Sequence, residues 1–273
     1  MSIRSLYRVF NETRRAARER ATVAVTGKGG GADSLARALG AGRGTRGAEI
    51  IIAVREGSGG ETVLDLSGKA IESPGELTLR SEPLLSPEAE LLGEVVPWVA
   101  GRLDEDYLVS LGRGYEAFRR AVCEEVIHNN ARQNAFIGAL PVPGADLPVM
   151  TANQGRMVLQ IASIYGEEIT LDRARELLGV LGAGLGFRAV GRQVVKIVPF
   201  GGWAVSGAIG YAGTLAMGRA AVLYFERGYD ELGQQEISGI RDRAAHEARD
   251  FVSRVRRENK GNKGDEENKK RRG

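Results

Sequence analysis

Apolar positions follow two rhythms along this chain. From 21 to 84 they come as short β-branched runs, ATVAVTG, AEIIIAV and ETVLDLSG, separated by glycine-rich turns. From about 85 to 257 they recur at helical spacing. The short link REGSGGE between Val54 and Thr62 predicts an antiparallel hairpin for the second and third runs. A helix over about Asp33 to Leu39 separates the first two, and ELTLR, Glu76 to Arg80, reads as an edge strand. In the helical region, Ser86 and Pro87 give a cap and first position for one helix. A second is expected over 104–130, and three prolines in ALPVPGADLP then break the pattern. A third runs over 149–165 and ends at Gly166. A fourth starts at Thr170 and reaches Val198. After the break at Pro199, Gly201 and Gly202, a fifth runs to Arg227, and a polar sixth covers 229–257.

The two ends differ from this body. Ile3, Leu6, Tyr7 and Phe10 share one face of a helix over 2–20, ringed by Arg4, Arg8, Arg14, Arg15 and Arg18. This is an amphipathic basic helix that either packs on its own domain or lies in a lipid interface. ENKGNKGDEENKKRRG at the other end has no apolar residue and is expected to be disordered. The organisation read from these patterns is a basic helix (1–20), a small α/β domain (21–84), an all-helical domain (85–257) and a basic tail (258–273). The fold class is α+β.

With 273 residues and 42% hydrophobic content, the chain suits one large or two ordinary domains. Aromatic residues are 6% of it, whereas glycines number 38, which favours helices packed at backbone distance. One cysteine, Cys123, excludes an intramolecular disulfide and fits a reducing compartment. His128 and His246 lie too far apart to form a zinc ligand set together, and no metal site is expected. MSIRSLYRVF is charged too early and too often for an export signal. Residues 254–273 carry nine Lys/Arg against four Asp/Glu, and residues 1–20 six against two, so basic ends flank an acidic body. Such ends suit an anionic surface. The tail has no aromatic residue on which a base would stack, so lipid is the expected partner and nucleic acid is not.

VAVTGKGGGADSLARALG, from Val23 to Gly40, has the outline of a phosphate loop. Against the form GxxxxGK[ST], Gly27 and Ser34 are in register, but Ala32 replaces the second glycine and Asp33 the lysine. A carboxylate at ~4 Å from a phosphate repels it by roughly 4 kcal/mol at an effective dielectric near 20. Losing the lysine removes an attraction of similar size. DLSG, Asp65 to Gly68, has the GTPase form DxxG, but no strand end carries the guanine-reading NKxD. The region reads as a degenerate, nucleotide-free GTPase-like domain or a small α/β domain that resembles one. No cofactor is expected.

IVPFGGWAVSGAIGYAGTLAMG, 22 residues from Ile197 to Gly218, has no charged residue. A helix of that length spans ~30 Å of hydrocarbon. Gly202, Ser206, Gly210, Thr214 and Gly218 recur every fourth position, a small-residue stripe that lets another helix approach closely. Gly179, Gly182, Ala183 and Gly186 in the preceding helix offer a matching patch, so a tight hairpin about Pro199 is expected. Arg188, Arg192 and Lys196 precede the segment and Arg219 and Arg227 follow it. Positive charge on both sides does not favour a single clean crossing. The hairpin is therefore read either as a soluble core or as a membrane-inserted or membrane-attached element, with Trp203 near its tip.

Leu140 to Gly166, followed by the glycine-rich run to Gly218, resembles the YcjF-like bacterial domain of unknown function over about 116–227. The Pro-Gly-Ala-Asp-Leu-Pro loop, the Tyr-Gly helix end and the Val-Pro-glycine break carry the resemblance. Members are often fused to, or encoded beside, small GTPase domains, and some are predicted inner-membrane proteins. The resemblance therefore implies a GTPase-linked membrane role and transfers no catalytic residue.

No Gly-x-Ser-x-Gly elbow is present. Cys123 and His128, five apart, point to different helix faces, with Cys123 read as core and His128 as a helix-end group. Asp146 reads as a cap, and Trp98 and Trp203 as packing residues. The expectation is a non-enzymatic, membrane-associated scaffold or partner of a GTPase at the cytoplasmic face of the inner membrane, peripheral or inserted, with self-association open. The alternative is a cytoplasmic soluble nucleotide-binding module without hydrolysis.

Overall fold

The computed structural model describes residues 21–58, 60–79, 88–140, 146–167, 194–195, 203–228 and 232–271. The expected basic helix over 2–20, the Ser86 cap, most of the 170–198 helix with Gly179, Gly182, Ala183 and Gly186, and Gly202 lie outside these residues. The chain divides into two compact units at Ile127 and again at Leu159.

The first unit contains a four-stranded sheet: β1 (Val23–Thr26), β2 (Ile50–Glu56), β3 (Thr62–Ser67) and β4 (Gly75–Leu79), in the order β1-β2-β3-β4. β1 and β2 are parallel, with Val23 opposite Ile50, so the chain must cross over between them. The crossover is α1 (Gly30–Leu39). The other two pairs are antiparallel, with Ala53 opposite Asp65 and Leu64 opposite Leu77. The expected hairpin and edge strand are thus both present. β-branched and leucine side chains fill the core, with Val25, Leu35, Ile50, Ile52 and Leu64 fully buried.

Also in this unit are α2 (Glu88–Ala100), α3 (Glu105–Gly114) and the start of α4 (Glu116–Ala139). Asp104 caps α3 by accepting a hydrogen bond from the Asp106 N–H at 2.9 Å. The single helix expected over 104–130 is therefore two. Tyr115 breaks it: its backbone is extended (φ −133°, ψ 111°), and its hydroxyl accepts the Val23 N–H at 2.9 Å. A tertiary bond to β1 outweighs helix continuation at that residue. The Tyr115 ring also meets Phe118 edge-on, at 6.3 Å between centroids.

The second unit holds α4 from Ile127 onward, α5 (Asp146–Ile164) up to Val158, α6 (Trp203–Glu226) and α7 (Gln234–Arg271). Pro148 is tolerated in the first turn of α5, where its missing N–H has no intrahelical partner to lose. The end of α5 beyond Val158 packs in the first unit, where a Cβ on Gly112 would lie 2.9 Å from Ile164 Cγ2. Gly166 follows in the left-handed conformation (φ 84°), which stops the helix where the sequence places the stop. α7 is a correction. It continues to Arg271, through the stretch expected to be disordered. Asp265/Lys269, Glu266/Lys270 and Glu267/Arg271 are spaced four apart with the acid first, the order that supports a helix.

Candidate functional site

The glycine loop comes first. Gly27 has φ 127°, and a Cβ there would lie 2.3 Å from the Val54 carbonyl oxygen. Close approach of β2 therefore requires this glycine, with no ligand needed to explain it. Arg43 then straps the loop. Its Nη1 donates to Val25 O at 2.9 Å and its Nη2 to Gly27 O at 2.7 Å, while its Nε lies 3.1 Å from Asp33 Oδ1. Asp33 thus meets a guanidinium of its own chain. Ala32 is fully buried in α1, and Ser34 lies two residues further along that helix. Asp65 of the DxxG stretch sits inside β3, where its carboxylate accepts from Arg55 Nε at 2.8 Å. The Gly27 carbonyl of the loop is thus held by a guanidinium of the chain itself.

The second constellation lies in the helical unit. A Cβ added to Gly138 would meet Ser206 O at 2.9 Å, one on Gly207 would meet Ala135 O at 3.0 Å, and one on Gly210 would meet Asn134 O at 2.7 Å. One on Gly218 would lie 2.4 Å from Ile127 Cγ1. The α4 numbers fall as the α6 numbers rise, so the two helices run antiparallel at backbone distance. Ser206, Gly210, Thr214 and Gly218 thus face α4, a helix that the sequence reading does not pair with them. α6 is apolar almost all round, with Ala208, Tyr211, Ala212, Leu215 and Ala221 buried, as suits the central helix of a bundle. Trp203 is its first residue.

A hydrogen-bonded cluster locks this contact. Asn134 and Thr214 are fully buried. The Asn134 Nδ2 donates to Thr214 Oγ1 at 2.8 Å and to Met150 O at 3.5 Å, and its Oδ1 accepts from Asn153 Nδ2 at 3.1 Å. Gln154 Nε2 also donates to Thr214 Oγ1, at 3.4 Å, and the hydroxyl donates to Gly210 O at 2.8 Å. The hydroxyl thereby uses its donor and both acceptor sites. The residues come from the run HNNARQN and from NQ at 153–154. The first run reads in the sequence as a polar helix end, and the pair at 153–154 carries no reading there. Their signal is the four-residue step from Asn130 to Asn134, on the face that also carries the buried Ile127 and Ala131.

Beside the cluster, an ionic triad ties three helices. Arg219 of α6 grips Glu247 of α7 with two hydrogen bonds, 2.7 and 3.1 Å long, and His128 Nε2 of α4 lies 3.7 Å from the same carboxylate. His128 is therefore a mid-helix group, not the helix-end group that its polar neighbours predicted. The close contact with His128, and then the bonds from Arg219, outweigh burial and hold the Glu247 carboxyl at about 2. A depressed carboxyl contributes stability above its unfolded value near 4.5 and loses it as pH falls towards 2. An unscreened shift of that size corresponds to about 3 kcal/mol. Glu247 is 38% exposed, and screening reduces this to about 1–2 kcal/mol. Urea unfolding at pH 7 and pH 3 is expected to show that loss, and Glu247→Gln should flatten it; an unchanged pH slope in the variant would remove the assignment.

The Cys123 side chain is fully buried. Asp146 is the first residue of α5. Trp98 is half-buried, with the Arg102 guanidinium 5.2 Å from its ring centre.

A family model described as Domain of unknown function (DUF697) matches residues 104–250. The chain belongs to the DUF697 family. The matched region takes in the whole contact between α4 and α6, the polar cluster and the ionic triad, and it excludes the glycine loop at Gly27. Every described element within the matched region is a helix. The chain is also similar to Magnetosome membrane protein 22 of Magnetospirillum gryphiswaldense, at 29% identity over 121 residues. That match covers 41% of this chain and 62% of the relative, so less than two thirds of the relative's length is spanned. No solved structure matches the chain. Among the described residues no helix is long and apolar enough to cross a membrane.

Proposed function

We propose that this DUF697 protein is a non-enzymatic, YcjF-like scaffold that attaches to the cytoplasmic face of the inner membrane and works as a partner in a GTPase-linked system. The observation that carries the reading is apolar exposure on the helical unit. Phe136, Leu140 and Val149 are 69%, 46% and 48% exposed. Large side chains left in water, with Arg132 lining the same groove as Phe136, favour an interface between water and lipid. The basic ends of the chain add attraction to anionic headgroups, worth about 1 kcal/mol per residue near the surface. The relative named as a membrane protein supports the same reading. The GTPase partner rests on the family resemblance, and self-association is compatible with it. The bonds that Arg43 makes to the loop carbonyls and to Asp33 argue for a nucleotide-free first domain.

Flotation on a density gradient tests the attachment. The protein is expected to rise with phosphatidylglycerol-containing vesicles at low ionic strength and to be partly released at about 0.5 M salt. Recovery at the bottom of the gradient in both conditions, with every vesicle composition, would overturn it.

A further inference from the structure

A groove of about 370 Å³ opens on the helical unit between α4, α6 and α7. Phe136 and Ala139 line it from α4, Ala204 and Gly207 from α6, and Phe251 and Val255 from α7. Small residues at Ala139, Ala204 and Gly207 leave the space open. The Phe251 ring stacks on Tyr211, with centroids 4.4 Å apart and planes 9° from parallel. Its volume lies in the range of ligand pockets.

Arg132 is the only polar side chain among the lining residues. It is exposed, and it donates to the neutral Asn129 amide at 3.0 Å. Arg254, next to Val255, is exposed as well. Among the described residues no carboxylate pairs with either guanidinium. The groove is therefore an apolar slot whose lining carries one guanidinium, that of Arg132, with no carboxylate paired to it among the described residues. A peptide would bring backbone amides into it, and those need hydrogen-bond partners that an apolar wall does not offer. An acyl chain brings none, and an anionic headgroup supplies the missing negative charge.

We propose that the groove holds one acyl chain of an anionic membrane phospholipid, with the lipid phosphate against Arg132. This deepens the membrane-attachment reading and rests on it for the source of the lipid. The exposed Phe136, at the groove and at 69% exposure, would be covered by the bound chain.

Calorimetry with monoacyl phosphatidylglycerol below its micellar concentration tests this on the full chain. One lipid per protein is expected, with affinity falling about fourfold for each methylene removed from the chain. Ala139→Trp fills the slot and should weaken binding at least tenfold. Arg132→Glu should weaken it about tenfold while leaving an uncharged monoacylglycerol unaffected. Should Ala139→Trp fail to fold, as judged by circular dichroism, Arg132→Glu and the chain-length series carry the test. Affinity indifferent to these changes, or tighter binding of free fatty acid than of phospholipid, overturns the proposal. So does a concentration-dependent dimer that Ala139→Trp dissolves in the absence of lipid heat. Vesicle flotation without monomer binding overturns the groove and leaves membrane attachment standing. Monomer binding with the expected variant effects, but no flotation, does the opposite.

Discussion

Gly210→Leu is expected to destabilise the helical unit by about 3 kcal/mol or more, a large share of the roughly 5–15 kcal/mol that keeps an ordinary domain folded. Two effects compete at this position. Replacing glycine in a helix interior gains up to about 1 kcal/mol of helix propensity. Against that, the new Cβ falls 2.7 Å from the Asn134 carbonyl oxygen and 3.2 Å from its carbon. That neighbour is backbone of a packed helix and has no rotamer to change, so the helices must separate. Separation also stretches the Asn134 to Thr214 hydrogen bond. The steric cost wins even for alanine, for which a loss of about 1–2 kcal/mol is expected. Denaturant midpoints of the two variants check the ranking, and a leucine variant within about 0.5 kcal/mol of wild type would contradict it.

Thr214→Val is nearly isosteric, yet about 1–3 kcal/mol of lost stability is expected from it. The loss comes from what the hydroxyl leaves behind. Asn134 Nδ2 keeps only the long 3.5 Å contact to Met150 O, and Gln154 Nε2 loses the acceptor it had at 3.4 Å. A fully buried amide donor without a good partner is the dominant cost. Asn134→Leu combined with Thr214→Val removes both sides of the bond, so the double variant should be less destabilised than the sum of the singles. Strict additivity in the cycle would show that the bond contributes nothing.

The strands were legible because β-branched runs bounded by glycine describe a small sheet in any context, and the short glycine-rich link favours the β2–β3 hairpin. The order of a small sheet followed by a larger helical region was legible for the same reason. The break at Tyr115 was not, because it is made by a hydroxyl reaching Val23, 92 residues earlier. No local propensity reports such a bond. The helical tail is not legible from apolar content, because its acids and bases, not apolar residues, carry the helical spacing. In the site, the spacing of Ser206, Gly210, Thr214 and Gly218 puts them on one face, but periodicity says nothing about what faces them. α4 hid that role because HNNARQN looks solvated until Asn134 is seen buried. At the glycine loop, the substitution to Asp33 was visible in the sequence. The cation that answers it, Arg43, comes from beyond α1 and carries no motif.

On the proposed function, the protein's role lies in the interlocked helices of the DUF697 region and none of it in the glycine loop. Membrane recovery from fractionated cells, compared between Gly210→Leu and Asp33→Lys, tests that division most directly. The second change breaks one exposed ion pair, worth at most about 1 kcal/mol. Gly210→Leu is expected to empty the membrane fraction while Asp33→Lys leaves it as in wild type. Loss of membrane recovery with Asp33→Lys alone, and full recovery with Gly210→Leu, would contradict it.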